Sequence, residues 1–516
     1  MATRRQKIRF NIERTRKLFN AFLRSKRANV GLLIIIFFIA IAAFASLLTP
    51  YDPTLDTWLA GSGSYHARPS WFKYFPGGEY LSENLAPIPD PEFSDPSISK
   101  NWNAEFLLSD KPVEYSTNIF VEHEQAIGKS GSALITYHRS NASTPQKATI
   151  RLDTNSYYPY RGPPARFVCK VKIIIEGSKD LPIEPLLFVE DTTHQTRLDW
   201  GFGLNWNNAN FTETMTKWKT PSPQATSDTE VGVRMSRFNT ISSLEEMVFP
   251  ENVSYTFGLE ITFWDVPTNA GKDIRGSVYV DVLDIKLFGT SFGLLGCDWQ
   301  GRDLFTQLIY GARISISVGL IAAGISVLLG LIVGLVAGYI GGGVDEVLMR
   351  LTDALLVLPG LPLLIVLIAV LGTSISNLII IIGFLGWMGF ARVVRSQVLS
   401  LKERPFVEAA RAIGAGKSHV IFKHIIPNVM SLVYVTLATS VPAAIVSEAA
   451  LSWLGYFDPY IMSWGRMLND VQVHSGYGDW WWVIPPGLCI AAVSVSFILL
   501  GYALDDILNP RLRLRR

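Results

Sequence analysis

Cysteine and histidine are scarce, with three Cys and seven His in 516 residues. Cys169, Cys297 and Cys489 stand far apart, and the histidines are scattered along the chain. A disulfide framework and a zinc site are therefore not indicated and no metal is expected, although a single Cys169 to Cys297 bridge stays open. Charge is also low, 17% against 49% apolar residues, and the mean hydropathy of +0.25 is above that of ordinary soluble chains. Acid is nearly missing from the start, where Arg4, Arg5, Lys7, Arg9, Arg14, Arg16, Lys17, Arg24, Lys26 and Arg27 face only Glu13. Such a segment is a nucleic-acid tail or a basic cytoplasmic arm (residues 1–29); the apolar run directly after it favours the arm, and no nucleic-acid partner is expected.

That run, Val30 to Leu48, holds no charge. At about 1.5 Å per residue it spans a hydrocarbon core about 30 Å thick, and it reads as a first transmembrane helix over residues 30–50. A cleaved signal peptide fits less well, because Pro50-Tyr51-Asp52-Pro53 is no small-residue cleavage site.

Residues 51–292 have no run able to cross a bilayer and are rich in Pro, Ser, Asn and charge. In Tyr255 to Phe263 the residues Tyr255, Phe257, Leu259, Ile261 and Phe263 alternate with polar or small ones, the period of two of a half-buried strand. Ala148 to Leu152, Phe167 to Ile175, Val231 to Met235 and Ser277 to Leu287 read similarly. The expectation is a β-rich insertion, a sandwich or jelly roll.

Long apolar runs return at Ser315 to Tyr339, Leu355 to Leu371, Ile375 to Ala391, Val429 to Ser447 and Trp480 to Leu504. With the first run they make an α-helical polytopic membrane protein of six transmembrane helices, with the insertion between helices 1 and 2 and the rest in residues 293–516. Arg350, Arg392, Arg395, Lys402, Arg404, Arg411, Lys417, Lys423, Arg511, Arg513, Arg515 and Arg516 all fall on one side. The two short opposite loops, Gly372 to Ser374 and Gly455 to Asp479, hold only Arg466. The asymmetry puts both termini in the cytoplasm of a cell-membrane protein and residues 51–311 outside. The acceptor sequons at Asn141, Asn210 and Asn252 all lie in the outside segment, as possible glycosylation sites.

The most specific pattern is Glu408-Ala409-Ala410-Arg411-Ala412-Ile413-Gly414, followed by His424-Ile425-Ile426-Pro427. It reads as a short amphipathic helix, Phe406 to Ile413, a tight exit at Gly414, and a second short helix leading to Pro427. An ordinary basic interhelical loop is the plain alternative. Gly414-Ala415-Gly416-Lys417-Ser418 ends like a phosphate-binding loop, but Arg411 stands where that loop needs glycine and a helix precedes it.

This stretch resembles the EAA loop of permeases of the ATP-binding cassette importers, in the dipeptide and oligopeptide branch. Gly296-Cys297-Asp298-Trp299-Gln300-Gly301-Arg302-Asp303, Glu448-Ala449-Ala450-Leu451-Ser452-Trp453-Leu454-Gly455, Ser463-Trp464-Gly465 and Leu508-Asn509-Pro510-Arg511 are similar to further segments of that family. Gly293, Leu294 and Cys297 depart from its usual His, Pro and Thr.

The resemblance implies a passive channel half with no ATPase and no cofactor of its own, in which partner ATPases bind ATP and Mg. It implies a second homologous permease, two ATPase subunits, an extracytoplasmic solute-binding protein and membrane lipid as partners. Loop 395–428 would dock on an ATPase, with Glu408, Ala409, Ala410, Gly414 and Pro427 as its coupling residues. Peptides are the expected cargo, with oligosaccharides or nickel as alternatives.

Arg302, Asp303 and Glu448 are candidates for an outer-side gate or pathway. An acidic residue at a span end is by default functional, with simple solvation as the alternative for Glu448. Gly330, Gly334 and Gly338 form a small face every four residues, a packing surface or the ordinary glycine content of membrane helices. A membrane-anchored glycan-binding receptor, with Trp200, Trp206 and Trp218 as stacking platforms, is the reading from another class. It leaves the docking loop without a purpose.

Overall fold

The computed structural model describes residues 25–54, 63–91 (except 64 and 89), 93, 102–108, 114–122, 131–140, 147–177, 181–191 (except 182), 196–201, 253–265, 270–474 and 476–508. Asn141, Asn210, Asn252, Trp206, Trp218, the Val231 to Met235 segment and most of the basic arm lie outside these. So do the side chains of Trp200 and Cys169. The chain divides into two compact units: residues 1–56 with 302–516, and residues 57–301.

The second unit is an antiparallel two-sheet β-sandwich. Its strands are β1 (Asn103–Leu108), β2 (Glu114–Glu122), β3 (Gly131–Arg139), β4 (Lys147–Tyr157), β5 (Arg166–Gly177), β6 (Ile183–Asp191), β7 (Thr196–Gly201), β8 (Ser254–Trp264) and β9 (Ile274–Phe288). One sheet has the order β1-β4-β8-β6-β7 and the other β2-β3-β9-β5. Both contribute to one core, where Ile150, Leu152, Leu259 and Ile261 of the first meet Ile135, Val278, Val280 and Ile285 of the second. Each such side chain removed from water contributes roughly 1.5–3 kcal/mol. The rings of Tyr137 and Phe263 stack across the core at 5.2 Å.

Strand β8 differs from the half-buried strand expected from its alternation. Its inward Tyr255, Phe257, Leu259, Ile261 and Phe263 are buried, and so are Thr256, Glu260 and Thr262 on the other face. The reason is position: β8 lies between β4 and β6, and polar side chains on these central strands cover one another. Thr262 Oγ1 lies 3.0 Å from Thr149 Oγ1, and Thr256 donates to Asn155 at 2.7 Å. Arg151 joins Asp153 and Glu190 at 2.6 and 2.8 Å and lies 4.2 Å over the Phe188 ring.

Burial pushes the phenol of Tyr137 up to about 12, and the carboxylate of Asp265 adds to the shift. Burial raises Tyr158 and Tyr255 as well. A folded value above the unfolded one, about 10, gives stability that is complete below pH ~10 and declines as pH rises through the folded values. The sandwich is therefore expected to unfold on alkaline titration between pH ~10 and ~12. Phenolate absorbance should then rise together with loss of near-ultraviolet dichroism. A sandwich intact with these phenols ionised would refute this.

The first unit is helical: α1 (Lys26–Ala43), α2 (Ala45–Leu48), α3 (Leu304–Ile340), α4 (Gly342–Val357), α5 (Gly360–Leu371), α6 (Ile375–Leu385), α7 (Trp387–Lys402), α8 (Pro405–Ala412), α9 (Lys417–Val420), α10 (Ile426–Trp453), α11 (Trp464–Val473) and α12 (Trp480–Leu508). Ser25 caps α1, its hydroxyl accepting from Ala28 N at 3.4 Å. Asp303 caps α3.

Among the described residues, five helical segments are long and apolar enough to cross a membrane, or up to six if the bent pair α4 and α5 counts as one span. The third expected span, Leu355 to Leu371, is not a continuous helix, because α4 and α5 meet at 91°. Proline is the cause. Pro359 pushes Leu358 out of the helical region, to φ −67° and ψ 135°, while Pro362 sits in the first turn of α5, where a missing N–H costs nothing.

Candidate functional site

The EAA segment forms a helical hairpin on one end of the helical unit. Pro405 starts α8 at a position where its fixed φ suits the helix and no N–H is needed. The helix ends in a Schellman turn: Ala415 N donates to Ala410 O at 3.0 Å and Gly414 N to Arg411 O at 2.9 Å. Gly414 takes φ +86°, which a side chain would strain. Its surroundings are open, with nothing within 4 Å of an added Cβ.

The inner face of this hairpin is anchored. Val407, Val420, Ile425 and Val429 are buried in one cluster with Leu335 and Tyr339 of α3 and Val394 and Val398 of α7. Arg411 places its guanidinium 5.6 Å over the Tyr339 ring. The outer face is exposed, with Ile413 at 87%, Phe422 at 72% and Phe406 at 44%. Glu408, Ala409 and Gly414 are exposed beside them, while Ala410 is buried. The hairpin thus has one face fixed to two membrane helices and another offering apolar side chains to the outside.

The second short helix expected before Pro427 is α9. The helical path continues from α9 through a π-helical turn, Ile421–Ile425, directly into α10. Pro427, in the first turn of α10, has no N–H to give, and its ring crowds the carbonyl four residues back. The wider π turn just before it makes room. The Gly414 to Ser418 stretch follows helix α8, not a strand.

At the other end of α10, Glu448 is 1% exposed, which overturns the solvated alternative. Three hydroxyls reach its carboxyl: Ser463 at 2.7 Å and Ser452 at 2.9 Å on Oε1, and Ser315 at 3.5 Å on Oε2. Ser463 also caps α11, accepting from Arg466 N at 3.1 Å. Trp464 donates from its backbone N to Ser315 Oγ at 3.2 Å and from Nε1 to Leu308 O at 2.9 Å. Glu448 is the point where α3, α10 and α11 are joined.

Arg302 and Asp303 lie at the start of α3 and do different things. Arg302 pairs with Asp470 of α11 at 3.3 Å, both side chains largely buried. Asp303 accepts from Thr306 N at 2.9 Å and from Thr306 Oγ1 at 2.6 Å. Glu448 and Arg302 thus both hold α11, while Asp303 orders the first turn of α3. Helix α11 and Asp470 were not singled out in the sequence, and Ser452 and Ser463 were quoted there only within family-like segments, with no part assigned to either. The available signal was a Ser463 cap followed by Trp464, Met467 and Val471 at helical spacing, all now buried.

Residues 330–514 match the family described as binding-protein-dependent transport system inner membrane component. Residues 14–66 match the N-terminal TM domain of oligopeptide transport permease C. The chain is 41% identical over 219 residues to the dipeptide transport system permease protein DppC of Bacillus subtilis (strain 168), covering 42% of this chain and 68% of the relative. Identity is also 41% over 219 residues to the oligopeptide transport system permease protein OppC of the same strain, covering 42% and 72%. It is 38% over 219 residues to the glutathione transport system permease protein GsiD of Escherichia coli O6:K15:H31 (strain 536 / UPEC), again covering 42% and 72%. With apolar helices long enough to span a bilayer and these matches over most of each relative, the chain is a multi-pass membrane protein that belongs to the oligopeptide and dipeptide permeases of the ABC importers.

Proposed function

We propose that this chain forms half of the transmembrane pathway of a peptide importer and couples it to two partner ATPases through loop 395–428. The observation that carries the coupling is the two-sided hairpin: Val407, Val420 and Ile425 seated on α3 and α7, with Phe406, Ile413 and Phe422 exposed. An exposed apolar face on a small rigid knob fits a docking groove, and its buried face passes movement of the docked subunit to the spans. ATP and Mg belong to the partners. Names of the relatives, dipeptide, oligopeptide and glutathione permeases, support a peptide cargo.

The basic residues of loop 395–428 favour a cytoplasmic docking side with both termini, which leaves the β-sandwich extracytoplasmic. There it would meet the side on which a solute-binding protein delivers cargo.

The test is affinity purification of the tagged chain from membranes in mild detergent, with subunits identified and ATPase activity measured. A second permease and two ATPase subunits are expected with the native chain. Glu408→Ala combined with Gly414→Asp, both exposed positions, should lose the ATPases or at least tenfold of the substrate-stimulated hydrolysis, ~1.4 kcal/mol of coupling. A chain that purifies alone, or a double variant that retains stimulated hydrolysis, would refute the coupling role.

A further inference from the structure

Outside the sandwich core, the described residues of the inserted unit leave a group of aromatic side chains in the open. A 3-10 turn, Ser70–Tyr74, and the residues after it present Trp71, Tyr74, Phe75 and Tyr80, with Tyr74 at 80% exposure; Leu294 is exposed beside them. The turn is well fixed. Trp71 Nε1 donates to Leu294 O at 2.8 Å and Ser70 N to Gly293 O at 2.9 Å. The Trp71 ring stands edge-on to Phe75 at 5.8 Å, and Phe72 stacks on Phe75 at 6.1 Å. Cations flank the rings, Arg68 5.4 Å over Phe72 and Lys73 5.5 Å over Tyr74. Lys73 also bonds Glu83 at 2.6 Å, so the patch is aromatic with nearly balanced charge.

Clustered exposed rings mark an interaction surface, and Trp and Tyr with snorkelling cations are the composition of the headgroup layer. The chain path favours lipid over a protein partner. Gly63 N donates to Gly301 O, His66 N to Asp298 O and Phe292 N to Arg68 O, at 3.0, 2.9 and 2.8 Å. These bonds tie the segment bearing the turn to residues 292–301, which lead directly into Arg302 and α3. Leu294 is eight residues from Arg302, a tether of at most about 28 Å when extended. The apolar level is marked within the helical unit, where Thr49 Oγ1 at the end of the first span lies 2.5 Å from Thr306 Oγ1. Leu47 and Leu48, just before it, are exposed. The end of the first span and the start of α3 thus mark one level of the helical unit, and only this short tether of chain separates Leu294 from Arg302.

We propose that Trp71, Tyr74, Phe75, Tyr80 and Leu294 form a foot by which the β-sandwich rests in the headgroup layer of the bilayer that the chain spans. Its role is to hold the insertion at a fixed height while its other surfaces stay free for partners. This goes beyond the importer reading and does not depend on cargo or coupling.

The full chain is reconstituted in nanodiscs of phosphatidylcholine and phosphatidylglycerol. Tyr74→Cys and Phe75→Cys each carry an environment-sensitive fluorophore, with the signal of the parent chain treated alike subtracted. Tyr157→Cys, on an exposed position of β4, is the control. Nitroxide-headgroup lipid should quench the Tyr74 and Phe75 labels about threefold or more beyond the Tyr157 label. Iodide in the buffer should show the reverse order. With the label moved to Tyr80→Cys, the further changes Tyr74→Ser and Phe75→Ser should lower its quenching by the lipid. Equal, water-like behaviour at all three positions would overturn the foot. So would protection that appears only on adding a solute-binding protein, since that would make the patch a protein docking site.

Discussion

Replacing Glu448 with alanine is expected to destabilise the helical unit by roughly 3 kcal/mol or more, from a lost buried side chain and from hydroxyls left without their acceptor. The carboxyl of Glu448 accepts from Ser463 and Ser452 and lies within reach of Ser315, serines that belong to three different segments. Without it, the cap of α11 has lost its anchor on α10, and Ser315, which also receives Trp464 N, keeps only part of its network. Glu448→Gln retains the length and one carbonyl oxygen for Ser463 and Ser452, and should stay within about 1 kcal/mol of the native chain. The difference is read as thermal unfolding of the detergent-purified protein and as protease sensitivity within residues 464–473. In the assembled importer the alanine variant should also lose uptake, because α11 then no longer holds α3 and α10 in register. An alanine variant that melts with the native protein would show that the cluster is incidental to stability.

How much of this was legible beforehand depends on the kind of signal. The apolar runs located the membrane helices, since their length and lack of charge are set by the bilayer. They did not show the 91° bend between α4 and α5, because hydropathy does not register direction, although Pro359 marked the place. Alternation located β8 and implied one buried face. That its other face is buried too follows from its central place in the sheet, which depends on pairing across more than a hundred residues. The Glu408 to Gly414 pattern located the hairpin, and Gly414 with φ +86° fills the tight exit it was assigned. Ala410, grouped with its neighbours as a coupling residue, turns inward and packs. The partners of Glu448 were beyond reach, because Ser315, Ser452 and Ser463 are ordinary residues until the fold gathers them.

Gly334→Leu is expected to break the pairing of α3 with α7, the other large effect. The small face at Gly330, Gly334 and Gly338 left two explanations open in the sequence, and the structure separates them. An added Cβ at Gly334 would lie 2.6 Å from Ala391 O and 2.6 Å from Val394 Cβ; at Gly338 it would lie 2.8 Å from Val398 Cβ, and at Gly330 2.8 Å from Trp387 O. The nearest atoms are backbone and Cβ, which cannot rotate away, so the helices must part. Insertion of extra methylenes into packed sites costs about 1–3 kcal/mol where side chains can adjust, and a backbone obstacle puts leucine at the upper end or above it. The control lies on the same helix: Gly324 has nothing within 4 Å of an added Cβ, so Gly324→Leu should leave stability unchanged. The comparison also has a functional arm, since Leu335, Val394 and Val398 in this seam belong to the cluster that seats Val407, Val420 and Ile425. Widening the seam by the smaller Gly334→Ala should therefore loosen the hairpin before it unfolds the unit, lowering transport per ATP hydrolysed more than the melting temperature. Monodispersity and thermal unfolding in detergent read the first arm, and uptake against hydrolysis in proteoliposomes reads the second. Equal behaviour of Gly334→Leu and Gly324→Leu would mean that α3 and α7 are not in close contact in the membrane.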